Sequence, residues 1–214
     1  TWQFGSREWG YGANYADEVA PAIVRRAVEL GVTFIDTAEI YGPGHSERIV
    51  GSALAELGEA RAGMVVATKL MPVLPLPPTT GSRAEASRRR LGGATIDLYQ
   101  VHWPNPLVPL GTTMAGFRRL LDSGTIRAAG VSNHSLARWR AAEHALGRPV
   151  ISNQVRFSLA SPAPLRDLVP FARDTGPGSP TAWGDAFGRR LRVMQSNLII
   201  DDADAVTAAT TELR

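Results

Sequence analysis

Residues 64–102 read MVVATKLMPVLPLPPTTGSRAEASRRRLGGATIDLYQVH, and the way this stretch divides decides the fold class. It opens on a short apolar, β-branched run that stops at Lys69. A proline-rich loop follows, then a polar stretch that ends in Leu-Gly, then a second apolar run that stops at His102. Runs this continuously apolar suit parallel strands buried on both faces. Leu-Gly after a helical stretch is C-cap chemistry. The segment therefore predicts a strand, a helix and a second strand, each strand closing on a polar side chain.

The same unit repeats on both sides. VTFID ends at Asp36, IRAAGVSN ends at Asn133, and VISNQVRF carries Gln154. TWQFG, residues 1–5, reads as one more strand. Between these runs lie ADEVAPAIVRRAVELG, with Ile23, Ala27 and Leu30 predicted on its buried face, SERIVGSALAELG, SRAEASRRRLG, TMAGFRRLLDSG and SLARWRAAEHALG. Repeated βα units build either a doubly wound sheet or a closed barrel. The doubly wound fold needs a glycine-rich turn after its first strand, and FGSREWGYG, residues 4–12, lacks GxGxxG spacing. In a barrel the C-terminal ends of successive strands share one mouth, so Asp36, Lys69, His102, Asn133 and Gln154 would converge there. The expected fold class is α/β, a (β/α)8 TIM barrel.

The expected domain organisation is a single barrel domain over 1–214, with six βα units in 1–175 and an irregular segment plus a C-terminal helix in 176–214. Residues 176–197 contain no pair of buried strands, so the last one or two βα units are expected to be missing from this chain. The opening residue is not Met, and the native protein is expected to be longer.

Composition narrows the chemistry. Hydrophobic residues make up 44% and charged residues 20%, as in soluble globular proteins. The net charge is +3, with arginines scattered along the chain, and the run Arg88–Arg90 reads as a solvated helix face without the interleaved aromatics of a nucleic-acid platform. Cysteine is absent, which removes disulfides, thiolate metal sites and a thiol nucleophile, and fits a cytoplasmic setting. No run reaches the roughly 18 apolar residues of a membrane span. The histidines lack HxH or HExxH spacing, so no metal is expected. Of the 23 basic residues, 22 are Arg, and Lys69 is the one lysine.

GVTFIDTAEIYG (31–42), GHSERIVGSAL, VVATK, DLYQVHWPNP, GTIRAAGVSN and NQVRFSL, taken together and in this order, resemble the aldo-keto reductases. The resemblance implies a barrel that binds NADPH and reduces a small-molecule aldehyde or ketone. It implies Tyr41 as proton donor, Lys69 and Asp36 as the supporting ion pair, and His102 as the imidazole that orients the carbonyl. Ser132, Asn133 and Gln154 fall where the family grips the nicotinamide carboxamide, and Thr1 and Trp2 where its first loop lines the cofactor; Asp36 belongs to both sets. The aromatic ring that the family supplies after its seventh strand, and the 2'-phosphate cluster after its eighth, have no match in order here.

The residue types suit that chemistry. Hydride addition to a carbonyl leaves an alkoxide, so a proton must arrive with it, and a phenol of pKa near 10 is a reluctant acid. An ammonium about 4 Å from the phenol oxygen is worth roughly 4 kcal/mol at an effective dielectric of about 20, on the order of three pKa units before desolvation. Asp36 offsets the cost of burying that cation. A compact ammonium on a slim stem, rather than a planar fork, is expected at Lys69 for this reason. Two other readings compete. A Schiff-base aldolase uses a barrel lysine as nucleophile but leaves Tyr41 without a role. An NADPH-binding, redox-sensing regulatory barrel keeps the cofactor site with little turnover.

Overall fold

The computed structural model describes residues 1, 3–5, 19–157, 161–174 and 193–195. In chain order the elements are α1 (Ala20–Glu29), β1 (Phe34–Asp36), α2 (His45–Glu56), β2 (Val65–Leu70), α3 (Pro77–Arg90), β3 (Ile96–Val101), α4 (Leu110–Asp122), β4 (Ile126–Ser132), α5 (Leu136–Leu146), β5 (Val150–Val155), α6 (Leu168–Asp174) and β6 (Val193–Gln195). The sheet order is β1-β2-β3-β4-β5-β6 and every neighbouring pair is parallel. A doubly wound sheet would reverse direction at a switch point. Consecutive order with helices along one side is the wall of a barrel.

Alternation along each strand separates two faces. Outward residues such as Val66, Leu70, Tyr99, Val101, Ala129 and Val131 join the main core under the helices. Inward, Phe34, Ala67, Leu98 and Ala128 form a small apolar floor. The register then sets Lys69 beside Gln100 and Gln100 beside Gly130, one layer nearer the C-terminal strand ends. Both faces are buried, which is why the strands read as nearly continuous apolar runs.

The predicted caps are present: after Leu91 and Leu146 the chain turns through Gly92 (φ 94°) and Gly147 (φ 71°), a left-handed backbone that a side chain resists.

Three expectations need correction. Residues 3–5 of TWQFG form a turn, not a strand, closed by Phe4 N donating to Thr1 O at 3.0 Å and by Gly5 at φ 78°. In α1 the buried residues are Ala20 and Val24, while Ile23 and Leu30 are exposed. That helix carries two apolar stripes about 100° apart, and packing against α2 selects the one with the smaller side chains. Helix α3 begins five residues before the predicted start, because Pro77 and Pro78 occupy first-turn positions where no N–H is needed.

The basic run is only partly a solvated face. Arg88 pairs with Glu85, but Arg90 Nε donates to Glu47 Oε2 at 2.6 Å, and Glu47, wholly buried on α2, also accepts from Thr68 Oγ1 at 2.5 Å. Residues 193–195 add the strand β6 within the segment expected to be irregular. The predicted C-terminal helix lies outside the described residues. Among those described, no helix is long and apolar enough to cross a membrane.

Candidate active site

Four polar residues meet where β1, β2 and β3 end. Lys69, fully buried in β2, donates from Nζ to Asp36 Oδ2 at 2.6 Å and to the Thr37 carbonyl at 2.9 Å. The same Nζ lies 3.5 Å from Tyr41 Oη and 5.1 Å from that ring's centroid. The ring of His102, the residue after β3, meets the Tyr41 ring edge-on at 5.7 Å between centroids. Trp103 stacks flat on His102 at 3.8 Å and is 39% exposed, so it covers the imidazole on one face.

The second group stands at the ends of β4 and β5. Ser132 Oγ donates to Gln154 O at 2.8 Å, and Asn133 Nδ2 reaches Ser132 Oγ at 3.0 Å and His102 O at 3.1 Å. Asn133 sits at φ 60°, a left-handed position that asparagine tolerates better than most residues. Gln154 Nε2 points across the mouth to Asp36 Oδ2 at 3.3 Å, which connects the two groups. Thr1 Oγ1 donates to Asp36 O at 2.9 Å. Of the residues expected here, Asp36, Tyr41, Lys69, His102, Ser132, Asn133, Gln154 and Thr1 are brought together, and Trp2 lies outside the described residues.

Sequence reasoning missed Gln100 and Ser152. Gln100 Nε2 lies 3.4 Å from Asp36 Oδ1, and its Oε1 accepts from Ser152 Oγ at 3.1 Å. A Cβ at Gly130 would fall 2.2 Å from Ser152 Oγ and 2.9 Å from Gln100 Cγ, so the glycine makes room for this pair. Strand alternation carried the signal: Gln100 stands two residues before His102, on the inward row.

Burial pushes the Tyr41 phenol above its ordinary 10, Lys69 pulls it back, and Asp36 opposes Lys69. Desolvation outweighs the ammonium, so Tyr41 holds its proton throughout the neutral range. His102 is pushed down to about 3, by burial first and by Lys69 second. Its Nδ1 is buried without a partner. An unpaired buried N–H costs more than an unpaired ring nitrogen, which favours the tautomer with the proton on Nε2.

The model of the aldo/keto reductase family matches residues 1–182. The chain belongs to that family. An uncharacterized oxidoreductase of Mycobacterium tuberculosis is 63% identical over 172 residues, covering 80% of this chain and 52% of the relative. The aldo-keto reductase YhdN of Bacillus subtilis is 37% identical, over 81% of this chain and 53% of its own length. The chain thus spans about half the length of the curated relatives it matches. Among solved structures, a thermostable aldo-keto reductase bound to the inhibitor epalrestat superposes with a TM-score of 0.71 at 27% identity, over 92% of this chain and 68% of that one. An aldo-keto reductase from Klebsiella pneumoniae in complex with NADPH gives 0.67 at 28% identity, over 92% of this chain and 66% of that one. The six-stranded sheet corresponds to part of the (β/α)8 barrel of these aldo-keto reductases.

Proposed function

We propose that this protein reduces an aldehyde or ketone to an alcohol with NADPH, in one barrel domain and in the cytoplasm. The observation that carries the reading is the placement of Lys69 Nζ, 2.6 Å from Asp36 and 3.5 Å from Tyr41 Oη.

The nicotinamide end of the cofactor fits the residues present. A carboxamide has both donors and an acceptor, and the Ser132 hydroxyl with the Asn133 and Gln154 amides offers the complementary set at adjacent strand ends. Thr1 lies beside Asp36, on the same side of the mouth. When bound, NADPH supplies the hydride. The remaining work belongs to the chain. Tyr41 holds a proton at Oη and releases it to the carbonyl oxygen as charge develops there. Lys69 then faces the phenolate, and Asp36 keeps that ammonium compensated. Neutral His102 donates from Nε2 to the same oxygen and aligns it.

The test is a fluorescence titration with NADPH and NADH, followed by a carbonyl panel in which Tyr41→Phe is the control. Saturable NADPH binding with turnover that collapses in Tyr41→Phe supports the reading. Turnover indifferent to Tyr41 overturns the assigned proton donor.

A further inference from the structure

Helix α3 contributes a residue that touches none of the groups above yet ties two of their loops together. Arg83 makes a two-pronged pair with Glu39: Nε to Oε2 at 3.0 Å and Nη2 to Oε1 at 2.6 Å. Its third nitrogen, Nη1, donates to the Val73 carbonyl at 3.1 Å. Glu39 Oε1 also accepts from the backbone N–H of Met71, two residues past Lys69, and Glu39 N reaches Lys69 O at 3.4 Å. The Glu39 side chain is only 10% exposed. Tyr41 follows Glu39 by two residues in a turn closed by Tyr41 N donating to Ala38 O at 3.0 Å. The loop that carries Tyr41 is therefore fastened through Glu39 to the backbone that leaves Lys69, and Arg83 holds the Glu39 carboxylate in place.

We propose that Arg83 is a positioning residue that acts through Glu39 to fix the distance between Tyr41 Oη and Lys69 Nζ. The geometry matches a planar fork, since two parallel bonds define orientation as well as distance. Without Arg83 the buried Glu39 carboxylate would turn to solvent, lose the Met71 N–H and release the loop. The charged and titratable groups facing Tyr41 are Lys69 from β2, Asp36 from β1 and His102 after β3. Arg83 and Glu39 carry opposite charges in direct contact, so their fields at the phenol largely cancel and the effect passes through position. The catalytic consequence rests on the reading of Tyr41 as proton donor; the geometry does not.

The experiment is an ultraviolet difference titration of the Tyr41 phenol in the full chain, each protein compared with its own Tyr41→Phe counterpart. Moving the phenol from 3.5 Å to about 6 Å from the ammonium weakens a Coulomb attraction that scales as 1/r, and raises the phenol by about one pH unit. Arg83→Met is expected to show that rise and Arg83→Lys a smaller one, while Arg88→Gln, which removes another charge from the same helix, leaves it unmoved. Glu39→Gln guards against a variant that fails to fold. It is expected to shift the phenol upward as well, whereas a direct field effect would move the Arg83 and Glu39 variants in opposite directions. Opposite signs, or an unmoved phenol in folded Arg83→Met, overturn the proposal. Carbonyl turnover measured alongside judges the functional reading separately: if the clamp is right, kcat falls about tenfold with the upward shift and KM for the carbonyl changes little.

Discussion

Replacing Lys69 separates charge from shape, and the structure sets the size of both effects. At 3.5 Å and an effective dielectric of about 20, the Lys69 ammonium stabilises a Tyr41 phenolate by about 5 kcal/mol. Asp36, 2.6 Å from the same nitrogen, opposes this. If it cancels about half, some 2 to 3 kcal/mol remains, or roughly fiftyfold in kcat. Lys69→Met should therefore slow carbonyl reduction by about that factor and shift the Tyr41 phenol further above its ordinary value. It should also destabilise the fold by about 3 kcal/mol, the lower end for an orphaned buried partner, because Asp36 keeps Gln100 and Gln154 and is 18% exposed. Urea denaturation and steady-state kinetics report the two losses separately. Lys69→Arg keeps the charge but inserts a planar fork where no side-chain surface is exposed. It should recover much of the stability and little of the rate. A folded Lys69→Arg protein with near-full reductase activity would refute the argument that the site needs a compact charge.

Three further perturbations test other parts of the structure. Because His102 is pushed from 6.5 down to about 3, the folded state binds fewer protons than the unfolded chain below 6.5, and stability rises with pH there. That contribution is complete above pH 6.5 and lost as pH falls toward 3; by pH 5 about 2 kcal/mol of it is gone. Denaturation midpoints at pH 5 and pH 7 should converge by that amount in His102→Gln, with His134, which burial also pushes down, retained in both proteins. Gly130→Ala drives a Cβ into Ser152 and Gln100 and should cost about 2 kcal/mol, with Gly130→Ala/Ser152→Ala recovering part of it in thermal melts. Asp97 accepts from Val66 N at 3.0 Å and pairs with Arg127 at 3.0 Å and Arg61 at 3.8 Å near the N-terminal strand ends. Asp97→Ala should lower stability by roughly 2 kcal/mol and leave kcat unchanged, since the mouth is at the opposite end.

The sheet was legible because burial on both faces leaves little room for polar residues inside a strand, so each run announced its own end. Asp36, Lys69 and His102 were legible for the same reason: a polar residue closing an apolar run has either a cap or a mouth to serve. Gln100 was not, because one amide inside IDLYQVH looks like noise until the register sets it beside Lys69 and Gly130. The face of α1 was misread since Ile23 and Leu30 are as apolar as Ala20 and Val24, and periodicity cannot rank two stripes of similar hydropathy. Arg83 gave no signal in an arginine-rich chain. Its partner Glu39 lies 44 positions away, and only the fold brings the two together. The net direction of the Tyr41 shift was not legible, because the cation at Lys69 is visible in the sequence whereas the burial that outweighs it is a property of the closed site.

The lone lysine follows from counting acceptors. An ammonium has three N–H groups, and Lys69 Nζ faces three oxygens: Asp36 Oδ2, the Thr37 carbonyl and Tyr41 Oη. A guanidinium brings five donors in a plane and favours both oxygens of one carboxylate. Here that second oxygen is engaged, since Asp36 Oδ1 is approached by Gln100, and Gln154 shares Oδ2. A fork would therefore have to displace the Gln100 amide, which Ser152 holds from the other side, or leave N–H groups buried without partners at about 1 to 3 kcal/mol each. The amides that fix Asp36 thus select the cation opposite it. Gln100, by holding Asp36, thus favours lysine at position 69 in a chain whose other 22 basic residues are arginine.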